Sequence, residues 1–194
     1  MKKMILMLLA LTMVFSLAAC GGNNTPATEA PTQAPTEAPT EAPTEAPAAS
    51  LEGTLEELLG KVIEIQPVEF MGGAMAVDLT DTSDDGKWMV KNYTGLDSAE
   101  SISEAAFYEP MMGSIPYSMV MVRVNEGADV AAVAEGMKNG IDQRKWICVE
   151  ADDLQVVSYG DVVMLIMVGS DTGMTSQSFV DAFAQVCGGD VTAH

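Results

Sequence analysis

The sequence predicts an α+β domain: an antiparallel or mixed sheet of about five or six strands with helices packed on it, preceded by a signal peptide and a disordered proline-rich linker. Two observations predict the sheet. One is the apolar, β-branched run Tyr117–Val124, and the other is a pair of similar runs, 154–159 and Val162–Val168, separated by Gly-Asp. The helices are predicted because apolar residues recur every three or four positions between capping residues and glycine or proline stops.

The N-terminal residues predict an export signal and a tether. An apolar run that follows two lysines closes with Leu17-Ala18-Ala19-Cys20, which is the order of a lipoprotein signal peptide. We therefore expect residues 1–19 to be removed and Cys20 to carry acyl chains. Residues 20–50 repeat Glu-Ala-Pro-Thr, and proline at every fourth position prevents a helix, so this segment is expected to be a disordered, extended spacer. Residues 51–194 are predicted to form a single domain.

The first part of the domain is predicted to be a helix followed by a hairpin. Thr54 fits the first residue of a capping box, and the apolar stripe after it predicts a helix that cannot continue past Pro67. Residues 71–79 are predicted to be a strand, Asp84-Asp85-Gly86 a turn, and residues 87–93 a second strand. The two strands are expected to pair with each other.

The second part is predicted to alternate between strands and capped helices. Residues 102–109 are expected to form a strand that leads through a loop into Tyr117–Val124. Residues 129–140 and 175–188 each begin with a polar capping residue, carry apolar residues at helical spacing and reach a glycine. The last residues, 189–194, are expected to fray.

The negative charge of the domain argues against nucleic acid and anionic lipid headgroups as its partners. The formal net charge is −19, and residues 51–194 contain 24 acidic and seven basic residues. A domain this negative repels phosphate backbones, so nucleic acid is excluded as a partner, and it also repels anionic lipid headgroups. Contact with the membrane is therefore expected through the acyl chains on Cys20, of which two or more are needed for stable anchoring.

Short motifs between residues 95 and 168 resemble a known class of protein. The motifs are Gly95-Leu96-Asp97, Glu100-Ser101-Ile102, Tyr108-Glu109-Pro110-Met111-Met112, the strand 119–124, Gly127-Ala128-Asp129-Val130 and the segment 160–166. Together with the lipobox and the tether, their order resembles small bacterial cell-surface lipoproteins of the Gram-positive anaerobe type, which carry an uncharacterised C-terminal domain of unknown function. The resemblance implies surface exposure and brings no catalytic or binding residues.

One motif suggests peptidase chemistry. Asp171-Thr172-Gly173 follows an apolar run and matches the Asp-Thr-Gly of aspartic peptidases. Those enzymes need two aspartates that share a proton, so a single copy would require a homodimer. The other interpretation, which we favour, is a loop whose polar side chains bond free backbone amides. Histidine catalysis is set aside because the one histidine, His194, lies in the segment expected to fray.

A second motif suggests a weak calcium site. Asp81, Ser83 and Asp85 supply oxygens at the first, third and fifth positions of a loop with glycine at the sixth, as in the first half of a calcium-binding loop. Asn92 occupies the position of the bidentate glutamate, and strands are expected on both sides. The alternative is a solvated acidic hairpin turn, and we expect no other cofactor.

Two cysteines remain after lipidation of Cys20. Cys148 lies in the apolar, strand-like run 146–149, and Cys187 lies at helical spacing from Phe179 and Phe183. An exported protein can join two such cysteines in a disulfide. The favoured interpretation is that both are small buried apolar residues, with the disulfide left open.

Methionine is abundant in the domain. Eleven of the 15 methionines follow Cys20, among them the pair Met111-Met112 and the two strand residues Met119 and Met121. Thioethers bind Cu(I), but the sequence has neither a histidine-rich segment nor a repeated methionine motif. Core packing is therefore the favoured interpretation.

Taken together, these features predict a lipid-anchored, extracytoplasmic lipoprotein on the outer face of the cell membrane. Its domain is expected to be a non-enzymatic binding or structural module with a cell-wall or protein partner. The alternatives are a hydrolase that uses Asp171 and a calcium-assisted surface module.

Overall fold

A computed structural model describes residues 50–194. The predicted signal peptide, the lipidation site Cys20 and residues 20–49 of the linker lie outside these residues. The elements are α1 (Leu55–Ile65), β1 (Gly72–Ala76), α2 (Asp84–Thr94), β2 (Ile102–Pro110), β3 (Tyr117–Val124), α3 (Val130–Gly140), β4 (Asp153–Tyr159), β5 (Val162–Val168), a 3-10 turn (Ser170–Thr172), α4 (Ser176–Cys187) and β6 (Thr192–Ala193).

The strands form one antiparallel sheet in the order β1-β2-β3-β5-β4-β6. This confirms the α+β prediction and decides between its antiparallel and mixed alternatives. The β4–β5 hairpin follows α3 and folds back so that β5, not β4, pairs with β3. Between residues 50 and 194, no helix is long and apolar enough to cross a membrane.

Helices cover both faces of the sheet. Helices α1 and α4 pack on one face through residues that include Leu58, Leu59 and Phe183, while α2 and α3 pack on the other through residues that include Val90 and Met137. Every residue of β5 is buried. The central strands are therefore apolar at consecutive positions, because neither side of the sheet faces water.

Local sequence signals place most of the helix ends. The predicted capping box forms, since the Thr54 hydroxyl accepts from the Glu57 amide and the Glu57 side chain accepts from the Thr54 amide. Gly188 ends α4 at φ +70. Thr175 precedes α4 as predicted but makes no side-chain cap; Asp153 on β4 accepts the Ser176 amide at 2.8 Å instead. A long-range contact thus takes the place of a local cap.

The predicted hairpin over residues 71–93 is wrong in its second half, which is helix α2. Ser83 acts as the N-cap by accepting from the Gly86 amide at 3.2 Å. Gly86 is buried directly against the Asp81 carbonyl, where a Cβ would overlap it. Val90 and Thr94 lie one turn apart on the buried face, so helical rather than alternating spacing is the period that the core uses.

The prediction that the C-terminal residues fray is wrong. Thr192–Ala193 forms β6 and pairs with β4. The His194 amide donates to the Val156 carbonyl at 2.9 Å, and Lys138 donates to the His194 carbonyl. These bonds hold the last described residues against the sheet.

The prediction of two buried cysteines is wrong for Cys148. Residues 146–148 form bends and Val149 belongs to no strand, and Cys148 is exposed with φ +68. Cys187 is half-buried at the end of α4, and both thiols are free. The apolar residues around Cys148 suggested a buried strand, but they lie in a loop, where Ile147 is 84% exposed.

Candidate functional site

A cavity of about 670 Å³ lies at the N-terminal end of α3. Residues at the end of β4 and in β6 line it. It brings together a serine and the single histidine, Ser158 and His194, whose Oγ and Nε2 atoms are 2.8 Å apart. The carboxylate-bearing residues Asp129 and Asp190 line the same cavity, with Tyr159 and Thr192 beside them.

Strand pairing sets this geometry. Ser158 lies opposite Thr192 in the β4–β6 ladder, and its side chain points to the α3 face because Val156, two residues earlier, packs in the core beneath α3. His194 follows β6 directly and bonds back to β4 through its amide. The β4–β6 pairing therefore places the His194 imidazole beside the Ser158 hydroxyl.

The pair has the parts of a nucleophile and a base. A neutral imidazole with an unprotonated Nε2 can accept the Ser158 proton, which is how a serine is activated for attack. Among residues 50–194, no carboxylate bonds the His194 ring, and Asp129 accepts the Ala132 amide at 3.1 Å as the cap of α3. Ser158 is 7% exposed. The arrangement is a dyad rather than a triad.

The predicted peptidase motif lies elsewhere, in the turn after β5. The Thr172 hydroxyl donates to the Gly169 carbonyl at 2.6 Å, and Gly173 closes the turn at φ +77. Asp171 lines a small cavity of about 240 Å³ together with Asp152 and Cys148. The loop interpretation accounts for the threonine and the glycine without any catalytic role.

A second carboxylate therefore lies near Asp171, but it has another partner. Ser170 donates to Asp152 from its hydroxyl at 2.6 Å and from its amide at 2.7 Å, and these bonds hold the pKa of Asp152 below its usual value. A proton shared between two aspartates needs one of them to have a raised pKa. The peptidase hypothesis stays a prediction that this geometry does not favour.

The residues of the predicted calcium loop cap a helix instead of lining a hairpin turn. Asp81 accepts the Ser83 amide at 2.9 Å, and Ser83 in turn caps α2. Asp85 lies in the first turn of α2 and is exposed. In the described part of the chain, no group of three or more His, Cys, Asp or Glu side chains is placed to hold a metal ion. Calcium binding stays a prediction.

A buried ionic cluster occupies the opposite end of the sheet from the histidine. The Lys145 ammonium, with its side chain 5% exposed, donates to Glu109 at 2.5 Å and to Ser118 at 3.2 Å. Ser118 also donates to Glu109 at 2.6 Å. The ammonium lies 5.0 Å from the centre of the Tyr93 ring and 5.5 Å from that of Trp146, within reach of cation–π attraction.

Burial shifts the acid–base behaviour of this cluster. Desolvation lowers the pKa of Lys145, although the charge of Glu109 opposes it. Desolvation also raises the pKa of Tyr93, and Glu109 adds to that shift. Ser118 is fully buried, so its hydroxyl is shielded from solvent. The contacts of the cluster therefore fix the Lys145 loop against β2 and β3.

A second ionic cluster fastens the start of the domain. Arg123 on β3 donates to the Leu51 carbonyl at 3.1 Å and to the Gly53 carbonyl at 2.9 Å. The same guanidinium bonds Glu104 on β2 at 3.0 Å and Asp161 in the β4–β5 turn at 3.3 Å. We call this cluster the Arg123 clamp. It holds the chain where residues 20–50, the predicted tether, give way to the fold.

Sequence reasoning missed both the Ser158–His194 pair and the Lys145 cluster. The histidine was discounted because a short terminal segment gives no local sign of strand pairing. For Lys145, the available signal was a cation directly before Trp146 and the apolar run 146–149. Glu109 and Ser118, each a polar residue within or beside a predicted strand, were the matching signals.

Comparison with protein-family models, with curated proteins and with solved structures found no match to this chain. The resemblance to small bacterial surface lipoproteins therefore stays a prediction.

Proposed function

We propose that this chain is a lipid-anchored extracytoplasmic lipoprotein whose C-terminal domain binds a protein or cell-wall partner at the outer face of the membrane. The observation that carries the proposal is the tetrad Leu17-Ala18-Ala19-Cys20 at the end of an apolar run, followed by the proline-rich repeat. The Arg123 clamp supports it, because it secures the first residues of the fold against pull from a tether.

Exposed apolar side chains support binding as the role of the domain. Met71 and Met111 are 78% and 77% exposed, and they adjoin each other because the Met111 amide donates to the Met71 carbonyl at 2.9 Å. A patch of large apolar side chains on a protein surface often marks an interaction site. The domain's charge keeps it off anionic headgroups, so the partner is expected at a distance from the bilayer.

Lipidation can be tested by metabolic labelling of cells with an alkyne-bearing fatty acid. The wild type is expected to take up label and to fractionate with membranes. Cys20→Ser is expected to lose both, and Cys148→Ser, which removes an exposed thiol, is the matched control that keeps both. Label on the Cys20→Ser protein equal to that on the wild type would overturn the proposal.

The Ser158–His194 distance of 2.8 Å favours a second candidate function, a serine hydrolase. A fluorophosphonate probe tests it: Ser158 Oγ attacks phosphorus, fluoride leaves, and His194 takes the hydroxyl proton. Labelling of the wild type that Ser158→Ala and His194→Ala abolish, and that Ser103→Ala on the surface preserves, would support it. A wild type that takes no label would reject it.

A further inference from the structure

Strand β1 forms one edge of the sheet, and its pairing with β2 shows which backbone groups face outward. The Met111 amide donates to the Met71 carbonyl at 2.9 Å, and the Val77 amide donates to the Ala105 carbonyl at 2.8 Å. In an antiparallel pair, hydrogen-bonded and non-hydrogen-bonded positions alternate. The odd-numbered residues of β1 therefore bond β2, and Gly72, Ala74 and Ala76 direct their amides and carbonyls to the open side.

This edge lacks the devices that usually block edge pairing. Edge strands that are protected from pairing carry proline, lysine, an inward charge or a bulge. Strand β1 reads Gly-Gly-Ala-Met-Ala and pairs with β2 in unbroken register. Within residues 50–194, no side chain bonds the outward amides or carbonyls of Gly72, Ala74 or Ala76. The edge therefore presents three donors and three acceptors to an incoming strand.

Exposed methionines surround the edge. Met71, directly before β1, and Met75 on β1 are 78% and 61% exposed, and Met111 and Met112 in the loop after β2 are 77% and 64% exposed. The core-packing interpretation holds for Met119 and other methionines of the central strands, but these four are outside the core. Flexible thioether side chains adapt to varied apolar partners.

Charge around the edge selects the kind of partner. Exposed Glu69 precedes β1, exposed Asp78 and Asp81 follow it, and the chain has no basic residue between Lys61 and Lys87. A second copy would bring the same carboxylates into contact. The predicted tether is equally unsuitable, because it carries glutamates and a proline at every fourth position.

From this we infer that the open edge of β1 binds an extended peptide as a seventh strand, with apolar side chains along its centre and lysine or arginine at its ends. Main-chain bonds to Gly72, Ala74 and Ala76 supply the pairing, the methionines receive alternate side chains, and Glu69 and Asp78 attract the basic ends. Five residues of strand span about 17 Å. The inference rests on the binding role proposed above and names its surface and partner.

The test uses the full mature lipoprotein in detergent micelles and a labelled peptide, Lys-Lys-Val-Thr-Val-Thr-Val-Thr-Lys-Lys, followed by fluorescence anisotropy. Ala76→Pro removes an outward donor and leaves the β2 ladder intact. It is expected to weaken binding about tenfold. Ala76→Val keeps the donor and is the matched control, with affinity within about twofold of the wild type.

Hydrogen exchange supplies a second measurement with residue resolution. Binding is expected to slow exchange at the amides of Gly72, Ala74 and Ala76, while Met75, already bonded to β2, changes little. Met75→Lys alters an exposed side chain and adds a charge that repels the basic peptide. It is expected to weaken binding even if Ala76→Pro fails to fold.

The inference would be overturned if the wild type, Ala76→Pro and Met75→Lys bound the peptide with equal affinity. It would also be overturned if the wild type bound a peptide with glutamate in place of lysine equally well. A wild-type dimer that Met75→Lys dissociates would place a second copy on the edge and would overturn it too. If no peptide binds while Cys20 labelling and membrane fractionation hold, the inference fails and the lipoprotein proposal stands.

Discussion

Lys145 keeps a charged group among aromatic rings, where its pairing with Glu109 offsets the loss of hydration. Removing one member of a buried pair leaves the other charge uncompensated, while removing both can be nearly neutral. We expect Lys145→Met to lower the free energy of unfolding by about 3 kcal/mol, and the double change with Glu109→Leu to recover most of that loss. Urea unfolding monitored by circular dichroism measures both.

The exposed pair Lys91–Asp97, at 2.8 Å, is the matched control. Solvent screens such pairs, so Lys91→Met is expected to cost less than about 1 kcal/mol. A Lys145→Met variant no less stable than Lys91→Met would show that the buried cluster contributes nothing.

Cys187 is expected to make the stability of the domain fall as the pH rises in the alkaline range. Burial raises the pKa of its thiol to about 12 from the ordinary value of 9.0. Above pH 9 the unfolded chain therefore binds fewer protons than the folded one, so this contribution is complete below pH 9 and is lost as pH rises towards 12. We expect Cys187→Ala to lose less stability than the wild type between pH 8 and pH 10, measured by urea unfolding at each pH.

The exposed thiol supplies the comparison. The stability of Cys148→Ser should decline with pH as that of the wild type does, because this variant keeps Cys187 and removes only an exposed thiol. A decline of the same size in the Cys187→Ala protein would assign the pH dependence to other groups.

At the scale of elements, local signals predicted α1, α3 and α4 and the strands β1 to β5 from capping residues, glycine stops and apolar runs. Helix α2 could not be predicted in this way. Ser83 followed by Asp84-Asp85-Gly86 is compatible with both a turn and an N-cap. The choice depends on Tyr93, which stacks on Phe107 of β2 with ring centres 3.7 Å apart, a contact that no local pattern shows.

Two helix glycines should respond in opposite ways to alanine. At Gly140, the last residue of α3, a Cβ would overlap the Gly95 carbonyl. A Cβ at Gly60 in α1 would meet no atom within 4 Å apart from its chain neighbours and the backbone of its own helix. We expect Gly140→Ala to lower the free energy of unfolding by about 3 kcal/mol through overpacking. Gly60→Ala should raise it by about 0.5–1 kcal/mol through helix propensity.

Thermal and urea unfolding of the two variants measure this difference, and Gly60→Ala serves as the control for Gly140→Ala. Equal effects of the two substitutions would mean that α3 and the turn at Gly95 can separate without cost, contrary to the close approach of their backbones.

At the scale of the whole molecule, the class of fold was predictable and its strand order was not. Periodicity identifies strands, but the place of β5 between β3 and β4 depends on α3 crossing the sheet before the hairpin returns. The candidate sites escaped prediction for the same reason. Ser158 and His194 meet only because β6 pairs with β4, and that two-residue strand is too short to leave a pattern.

The Arg123 clamp has a mechanical consequence for a domain held at one end. Any load drawn through Leu51 passes first into a guanidinium on β3, an interior strand flanked on both sides by hydrogen-bonded neighbours. Charge-assisted bonds to β2 and to the β4–β5 turn share that load. Tension in the proposed tether would thus be spread across the middle of the sheet, and the open edge at β1 would be spared from peeling.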